Sequence, residues 1–256
     1  MQRYLDGNLD PAAIVASTAI TQTDIRAPLK IDARRIWNKE YGGEVSIPSS
    51  LRSNPSHALL ELCKHFKLPQ GKALDLGCGN GRNSFLLANQ GMDVTAIDFS
   101  EVALGLLTSS SNYLTSHGSI TTLNHDIEEN LPFEDSHFDL ILDSYCLCHF
   151  TEVRIYKKIL NECARVLKKT GLLVQIHLDN LDKYYLERVE RTTEFGHVSY
   201  DPANNLKKLH YSVTSYLRYF AENFELQTIL PIEFVDNVRG KNYVRSIFVS
   251  VIKKKT

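Results

Sequence analysis

The sequence predicts an α/β fold built on a mainly parallel sheet and closed by an antiparallel hairpin at its carboxyl end. Three observations carry that expectation. Between positions 72 and 178, apolar runs of strand length alternate with segments of helical period, a pattern that implies right-handed crossovers and a sheet covered on both faces. The first run, Ala73-Leu74-Asp75-Leu76, ends in an acid and turns through Gly77, Gly79 and Gly81 into a helix. Near the carboxyl end, the runs 224–232 and 243–252 have only a polar stretch between them, Asp236-Asn237-Val238-Arg239-Gly240-Lys241-Asn242. So short a connection makes two strands antiparallel neighbours.

The elements follow in order. Residues 1–50 are poorly periodic and read as an amino-terminal extension that partly covers the site; an aromatic pair, Trp37 and Tyr41, precedes the glycine turn at Gly42-Gly43. A helix start is expected at Ser53-Asn54-Pro55, where a capping residue precedes a proline suited to the first helical position. Ala58, Leu59, Leu62, Cys63 and Phe66 continue it at helical spacing, and Pro69-Gln70-Gly71 leads into the first strand. Phe85 to Ala88 lies on the helix after the glycines, and Val94 to Asp98 is a second strand. Val102 to Leu114 is the next helix, Asn124 to Ile127 closes a third strand, and Phe138 to Asp143 is a fourth. An amphipathic helix over Val153 to Leu167 presents Ile155, Ile159, Leu160 and Val166, and Lys169-Thr170-Gly171 then turns into the strand Leu172 to His177. Residues 179–211 break the alternation. Ser212-Val213-Thr214-Ser215 starts a last helix, with Tyr216, Leu217, Phe220 and Phe224 on one face.

The glycine spacing is informative about the ligand. Glycine permits positive φ and close approach of a ligand to the backbone, and the helix that follows presents free N–H groups above the strand. The dinucleotide fingerprint requires Gly-x-Gly-x-x-Gly. In that frame Gly77 and Gly79 fit, but the third position is Arg82, whose side chain obstructs close helix–strand packing. That argues against a nicotinamide-dependent oxidoreductase. Asp98 stands about twenty positions after the glycines, where a carboxylate can accept the ribose hydroxyls of a nucleoside. Asp75, Asp98 and Asp126 could each merely cap a helix, yet three acids at three successive strand ends favour a shared binding role.

The run Asp75-Leu76-Gly77-Cys78-Gly79-Asn80-Gly81 resembles the first motif of class I S-adenosylmethionine-dependent methyltransferases. The resemblance covers roughly residues 55–178 and 212–253, and implies a Rossmann-like, seven-stranded sheet over residues 51–256. Residues 74–98 are similar to the tellurite-resistance and thiol-methyltransferase branch of that class. The resemblance implies S-adenosylmethionine as cofactor, with Asp75, Gly77, Gly79, Gly81, Asn83, Asp98, Phe99, Asp126, Ile127 and Asp143 about it; Asp126 would take the adenine amine and the Ile127 backbone the ring. The chain departs from the branch in its longer amino terminus and in residues 179–211, read as an acceptor cap carrying Tyr184, Tyr185, Phe195, His197, Tyr200, His210 and Tyr211.

Methyl transfer from a sulfonium is an in-line displacement that needs alignment and exclusion of water, and a base only when the acceptor is protonated. Candidates for the acceptor side are the side chains at carboxyl ends of strands, Tyr145, His149 and His177. Histidine is a plausible base because its unperturbed pKa is ~6.5. A magnesium-assisted variant would draw on Asp143, Asp179 and Asn180, but that set is an incomplete match, and no metal is expected. With 29 Lys+Arg against 30 Asp+Glu there is no field to gather nucleic acid or a membrane surface. The run Asp143-Ser144-Tyr145-Cys146 lacks the prolines of adenine and glutamine methyltransferases. Five cysteines without a Cys-x-x-Cys pair favour free thiols in a reducing compartment. Residues 12–20 are too short and polar for a signal segment, so a cytoplasmic protein is expected. The reading is of a methyltransferase for a small-molecule acceptor with an O, N or S nucleophile. A non-catalytic S-adenosylmethionine-binding protein is the alternative, and the oligomeric state stays open.

Overall fold

The computed structural model describes residues 30–44, 47, 50–110, 117–220 and 222–255. Five parallel strands form the core of the sheet: β1 (Lys72–Leu76), β2 (Asp93–Asp98), β3 (Ser119–Asn124), β4 (Phe138–Ser144) and β5 (Leu167–Leu178). Two long strands, β9 (Phe224–Val238) and β10 (Lys241–Lys254), complete it antiparallel, giving the order β3-β2-β1-β4-β5-β10-β9. The strand order reverses between β1 and β4. Open sheets expose their ligand crevice at such a switch point, beyond the carboxyl ends of the strands.

Successive residues of the central strands feed two separate cores. Leu74, Leu76, Ile141 and Leu173 pack with Tyr156, Ile159, Leu160 and Cys163 of α5 (Val153–Val166). Ala73, Leu140, Leu142, Val174 and Ile176 pack on the other face with Ala58, Leu59 and Leu62 of α2 (His57–His65) and Leu87 and Ala88 of α3 (Arg82–Asn89). Each fully buried aliphatic side chain contributes roughly 1.5–3 kcal/mol. Burial on both faces is also why these strands are continuous apolar runs rather than alternating ones. A third cluster joins Cys78, Phe85 and Ala96 to Leu104 and Leu107 of α4 (Glu101–Ser109).

Several local expectations are corrected. The helix expected at Ser53-Asn54-Pro55 begins at His57, and Ser56 at its N-cap makes no side-chain capping bond. Its backbone N–H instead donates to Asn83 Oδ1 at 2.9 Å, so the segment is tied to the glycine-loop helix. The third strand ends at Asn124, leaving Asp126 and Ile127 in the following loop. The closing hairpin is tighter than the polar stretch suggested. Val238 pairs with Lys241, and Arg239 and Gly240 alone make the turn at φ 54° and 84°, the left-handed pair that matches strand twist in a two-residue loop.

Residues 179–211 form a small subdomain. A short helix α6 (Lys183–Leu186) is capped by Asp182, which accepts from the N–H groups of Tyr184 and Tyr185. An antiparallel sheet follows in the order β6 (Val189–Thr193), β7 (Gly196–Asp201), β8 (Leu206–His210). The helix α7 (Val213–Tyr219) then returns the chain to β9. At the other end, α1 (Lys30–Tyr41) lies against α4, where Asn38 Oδ1 accepts from the Ser100 hydroxyl at 2.7 Å. Residues 1–29, including the stretch 12–20, fall outside the described residues. Among the described residues no helix is long and apolar enough to cross a membrane.

Candidate active site

The first glycine turn is packed closely by the side chains of neighbouring elements, which leave no room for a Cβ. Gly77 and Gly79 hold φ at 60° and 56°. A Cβ at Gly77 would strike the Cys146 sulfur, and one at Gly79 would strike the Tyr41 hydroxyl. The loop is pinned further by Cys78 N–H donating to the Ile97 carbonyl at 3.0 Å. Above it, between the strand ends, α1 and the cap, lies a cavity of about 890 Å³, a volume within the range of small-molecule and cofactor sites.

Acids at the strand ends define one side of this cavity. Asp98 is 6% exposed; its Oδ2 accepts from Gly79 N–H at 2.9 Å and its Oδ1 from Ser100 N–H at 2.8 Å. Burial raises its pKa while these N–H groups oppose the shift. Asp75 accepts from the Ser84 hydroxyl at 2.6 Å, and burial pushes it up to about 7. Both line the cavity together with Gly77, Asn83, Phe99, Asp126 and Ile127. Asp126 also accepts from Glu128 N–H at 3.0 Å, which shapes its loop.

Three residues expected around the cofactor do not line the cavity. Gly79 offers its N–H to Asp98, and Gly81, the left-handed N-cap of α3, packs against Leu107. Asp143 is turned inward: Oδ1 accepts from the N–H groups of Cys146 at 2.9 Å and Leu147 at 3.1 Å, and Oδ2 from Gln175 at 3.0 Å. Its carboxylate therefore shapes the turn that carries Tyr145 and His149 rather than facing a ligand. Asp179 is likewise occupied, accepting from Leu181 N–H at 2.8 Å. Among the described residues no group of three His, Cys, Asp or Glu side chains converges as a metal cage.

The turn after β4, which packs on Gly77 through Cys146, supplies a further part of the wall. Tyr145 lines the cavity with φ at 63°, a conformation costly for a bulky residue and characteristic of functional sites. Burial pushes its phenol far above the ordinary range, so it stays protonated. His149 also lines the cavity, with Trp37 edge-on at 5.1 Å between ring centroids. Its Nδ1 is buried and has no partner among the described residues. Burial, and secondarily the charge of Lys208, lower its pKa well below the usual value, which keeps the ring neutral.

His177 is corrected to a core residue. It is 2% exposed and absent from the cavity wall; one ring nitrogen bonds the Tyr211 hydroxyl at 2.9 Å and the other the Ser250 hydroxyl at 2.7 Å. Burial lowers its pKa to about 3, and both nitrogens are committed. The cap divides similarly. Tyr184 and Tyr185 line the cavity, but Phe195 packs on Tyr219, His197 bonds Thr192, and Tyr200 donates to Asn205. His210 bonds Ser199, and Tyr211 bonds Tyr156 in the core. The cavity wall also holds residues the sequence reading did not place there: Trp37, Tyr41, Arg82, Lys208 and Arg245. The spacing of four between Trp37 and Tyr41, which stack at 5.8 Å, is the signal that could have placed both on one helical face. Lys208 has no such local signal.

A mainly parallel open sheet with Asp75 and Asp98 near the ends of β1 and β2 and Asp126 in the loop after β3, all beside a glycine turn, has the form of a nucleoside-binding α/β domain. Residues 74–175 match the methyltransferase-domain family model. The chain is 37% identical over 103 residues to a demethylmenaquinone methyltransferase of Clavibacter sepedonicus, covering 40% of this chain and 39% of that protein. The matches span 39% to 53% of the first three curated relatives' own lengths. The structure superposes on an S-adenosylmethionine-dependent methyltransferase of Methanosarcina mazei with a TM-score of 0.64 at 21% identity, covering 78% of this chain and 98% of that one. It superposes equally, at 0.64 and 18% identity, on the 1,6-didemethyltoxoflavin-N1-methyltransferase of Burkholderia thailandensis, whose structure holds that compound and S-adenosylhomocysteine; coverage is 93% of this chain and 95% of that one. Residues 74–175 thus match a methyltransferase domain, and the fold is the one found in S-adenosylmethionine-dependent methyltransferases.

Proposed function

We propose that this protein transfers a methyl group from S-adenosylmethionine to a small-molecule acceptor held between the 145–149 turn and the cap. The observation that carries the reading is one cavity whose lining holds two chemically different sets of residues. In one set Asp75, Asp98 and Asp126 stand beside the glycine turn and suit the polar groups of an adenosine; S-adenosylmethionine, when bound there, supplies an activated methyl group. In the other set Tyr145, His149, Tyr184 and Tyr185 offer aromatic surface and hydrogen-bonding groups to an acceptor.

This chain's own contribution is alignment and exclusion of water. Trp37 and Tyr41 of α1 cover the glycine side, and the cap covers the acceptor side. Tyr145, held protonated, donates a hydrogen bond; neutral His149 offers a ring nitrogen as a hydrogen-bond acceptor that orients the acceptor's O–H, N–H or S–H. A small molecule is favoured because the site is a recess roofed by the cap rather than a groove. Two similar proteins are named for small acceptors, demethylmenaquinone and 1,6-didemethyltoxoflavin.

The test is calorimetry with S-adenosylmethionine, S-adenosylhomocysteine and NAD, followed by a panel of thiols, phenols, amines and carboxylic acids with methyl-labelled donor. Label transfer to one chemical class is expected. Tighter binding of NAD than of S-adenosylhomocysteine would overturn the reading.

A further inference from the structure

Lys208 in β8 is 9% exposed and lines the cavity. Its ammonium donates to the Tyr185 hydroxyl at 2.9 Å, and among the described residues it has no carboxylate partner. The half-buried cations of the cap and of β10 beside it have one. Lys207 meets Glu190 at 2.7 Å, Arg245 meets Asp182 at 2.7 Å, and Arg188 meets Glu187 at 3.9 Å. The most deeply buried cation of the cap is thus the one without a counterion, an arrangement that is costly unless something compensates it.

The surroundings show what would compensate it. Lys208 Nζ lies 5.2 Å from the centroid of the Tyr185 ring and the Arg245 guanidinium 5.1 Å from the same ring. Positive potential is therefore concentrated about one phenol. That phenol accepts from Lys208, which leaves its own hydrogen available as a donor beside the remaining ammonium hydrogens. Leu178, Val198, Leu206 and Ile247 add apolar wall to the same cavity.

We propose that Lys208 and Tyr185 form a receptor for an oxyanion on the methyl acceptor, so that the acceptor is an acid, a carboxylate or a phosphate ester with an apolar body. This rests on the reading of the cavity given under Proposed function. Charge-assisted bonds from an ammonium and a phenol to an oxyanion are short and strong. A neutral analogue would leave Lys208 buried and unpaired, which gives discrimination as well as affinity.

Calorimetry on the full chain tests this, with and without saturating S-adenosylhomocysteine. The probes are benzoate, phenyl phosphate and octanoate, each against its neutral counterpart: benzamide, benzyl alcohol and octanamide. At least one acid is expected to bind more tightly than its counterpart by about tenfold or more, the scale of one charge-assisted hydrogen bond. The carboxylate-to-phosphate order identifies which acid the site takes. Lys208→Met should abolish the preference and Lys208→Arg retain part of it, with S-adenosylhomocysteine affinity unchanged in both. Should Lys208→Met not fold, Tyr185→Phe is expected to weaken the preference by removing one donor. The proposal is overturned if no acid outbinds its neutral partner on the wild-type protein, or if a folded Lys208→Met keeps the preference. Failure of S-adenosylhomocysteine to bind would instead refute the donor reading, and the acid preference is still measured in its absence.

Discussion

Asp75 couples the chemistry of the site to the stability of the fold. It is the penultimate residue of β1, at 1% exposure, with the Ser84 hydroxyl donating to it at 2.6 Å. Burial raises its pKa from 3.8 to about 7; Asp98 and Asp143 add to the rise, while Ser84 and Arg82 oppose it. An unfolded chain releases this proton near the ordinary value, whereas the folded chain holds it until about 7. Between those values the folded state binds more protons, so stability falls as pH rises. The contribution is fully present below about pH 4 and is lost through about pH 7. At ~1.4 kcal/mol per pKa unit, an interval of roughly three units corresponds to about 4 kcal/mol. Asp75→Asn removes the titration and keeps an oxygen that can accept from Ser84. Chemical denaturation at pH 4.5 and pH 8 should find the variant close to wild type in acid and more stable by a few kcal/mol, about 2–4, in base. Asp143, raised by burial to about 6, titrates in the same window and leaves a smaller residual slope. The same variant should bind S-adenosylmethionine more weakly, since a carboxylate facing the cavity is exchanged for a neutral amide, a trade of function against stability. A variant with the wild-type pH slope, or one less stable than wild type at pH 8, would refute the reasoning.

Four further outcomes are expected. Asp98→Ala should weaken S-adenosylhomocysteine binding by about 1.5–3 kcal/mol, the scale of a hydrogen bond to a charged group; undiminished affinity by calorimetry counts against a donor contact. His177→Ala should cost about 2–5 kcal/mol of stability, because it opens a cavity and strips Tyr211 and Ser250 of a buried partner; a variant of wild-type stability that has lost turnover would return His177 to the chemistry. Tyr145→Phe, which removes the phenol and keeps the ring, should lower turnover by roughly 10²-fold with donor affinity intact; an unchanged rate would make the residue a wall only. Turnover, measured once an acceptor is in hand, should survive EDTA; loss on chelation with recovery in magnesium would bring Asp143, Asp179 and Asn180 back as ligands.

The sequence alone determined those features whose physical cause is local. Gly77, Gly79 and Gly81 are legible because the chain needs positive φ there, a demand that only glycine meets without strain. The strands and their acids are legible because two-sided burial leaves continuous apolar runs that end where the backbone turns. The closing hairpin follows from a short connection, although the left-handed pair Arg239-Gly240 made the turn shorter than its polar flanks implied. What a polar side chain faces was decided only in three dimensions. In a strand buried on both faces, neither parity nor polarity separates a core histidine from a cavity histidine. His177 joined the core because Tyr211 and Ser250, 34 and 73 positions away, meet its two nitrogens. Asp143 turned inward because Gln175 and two N–H groups of the following turn claim its oxygens. Lys208 gained its place from Tyr185, 23 residues earlier on a different element. Contacts across such separations depend on how the sheet, the cap and α1 close over one another, and no local pattern of residues records that closure.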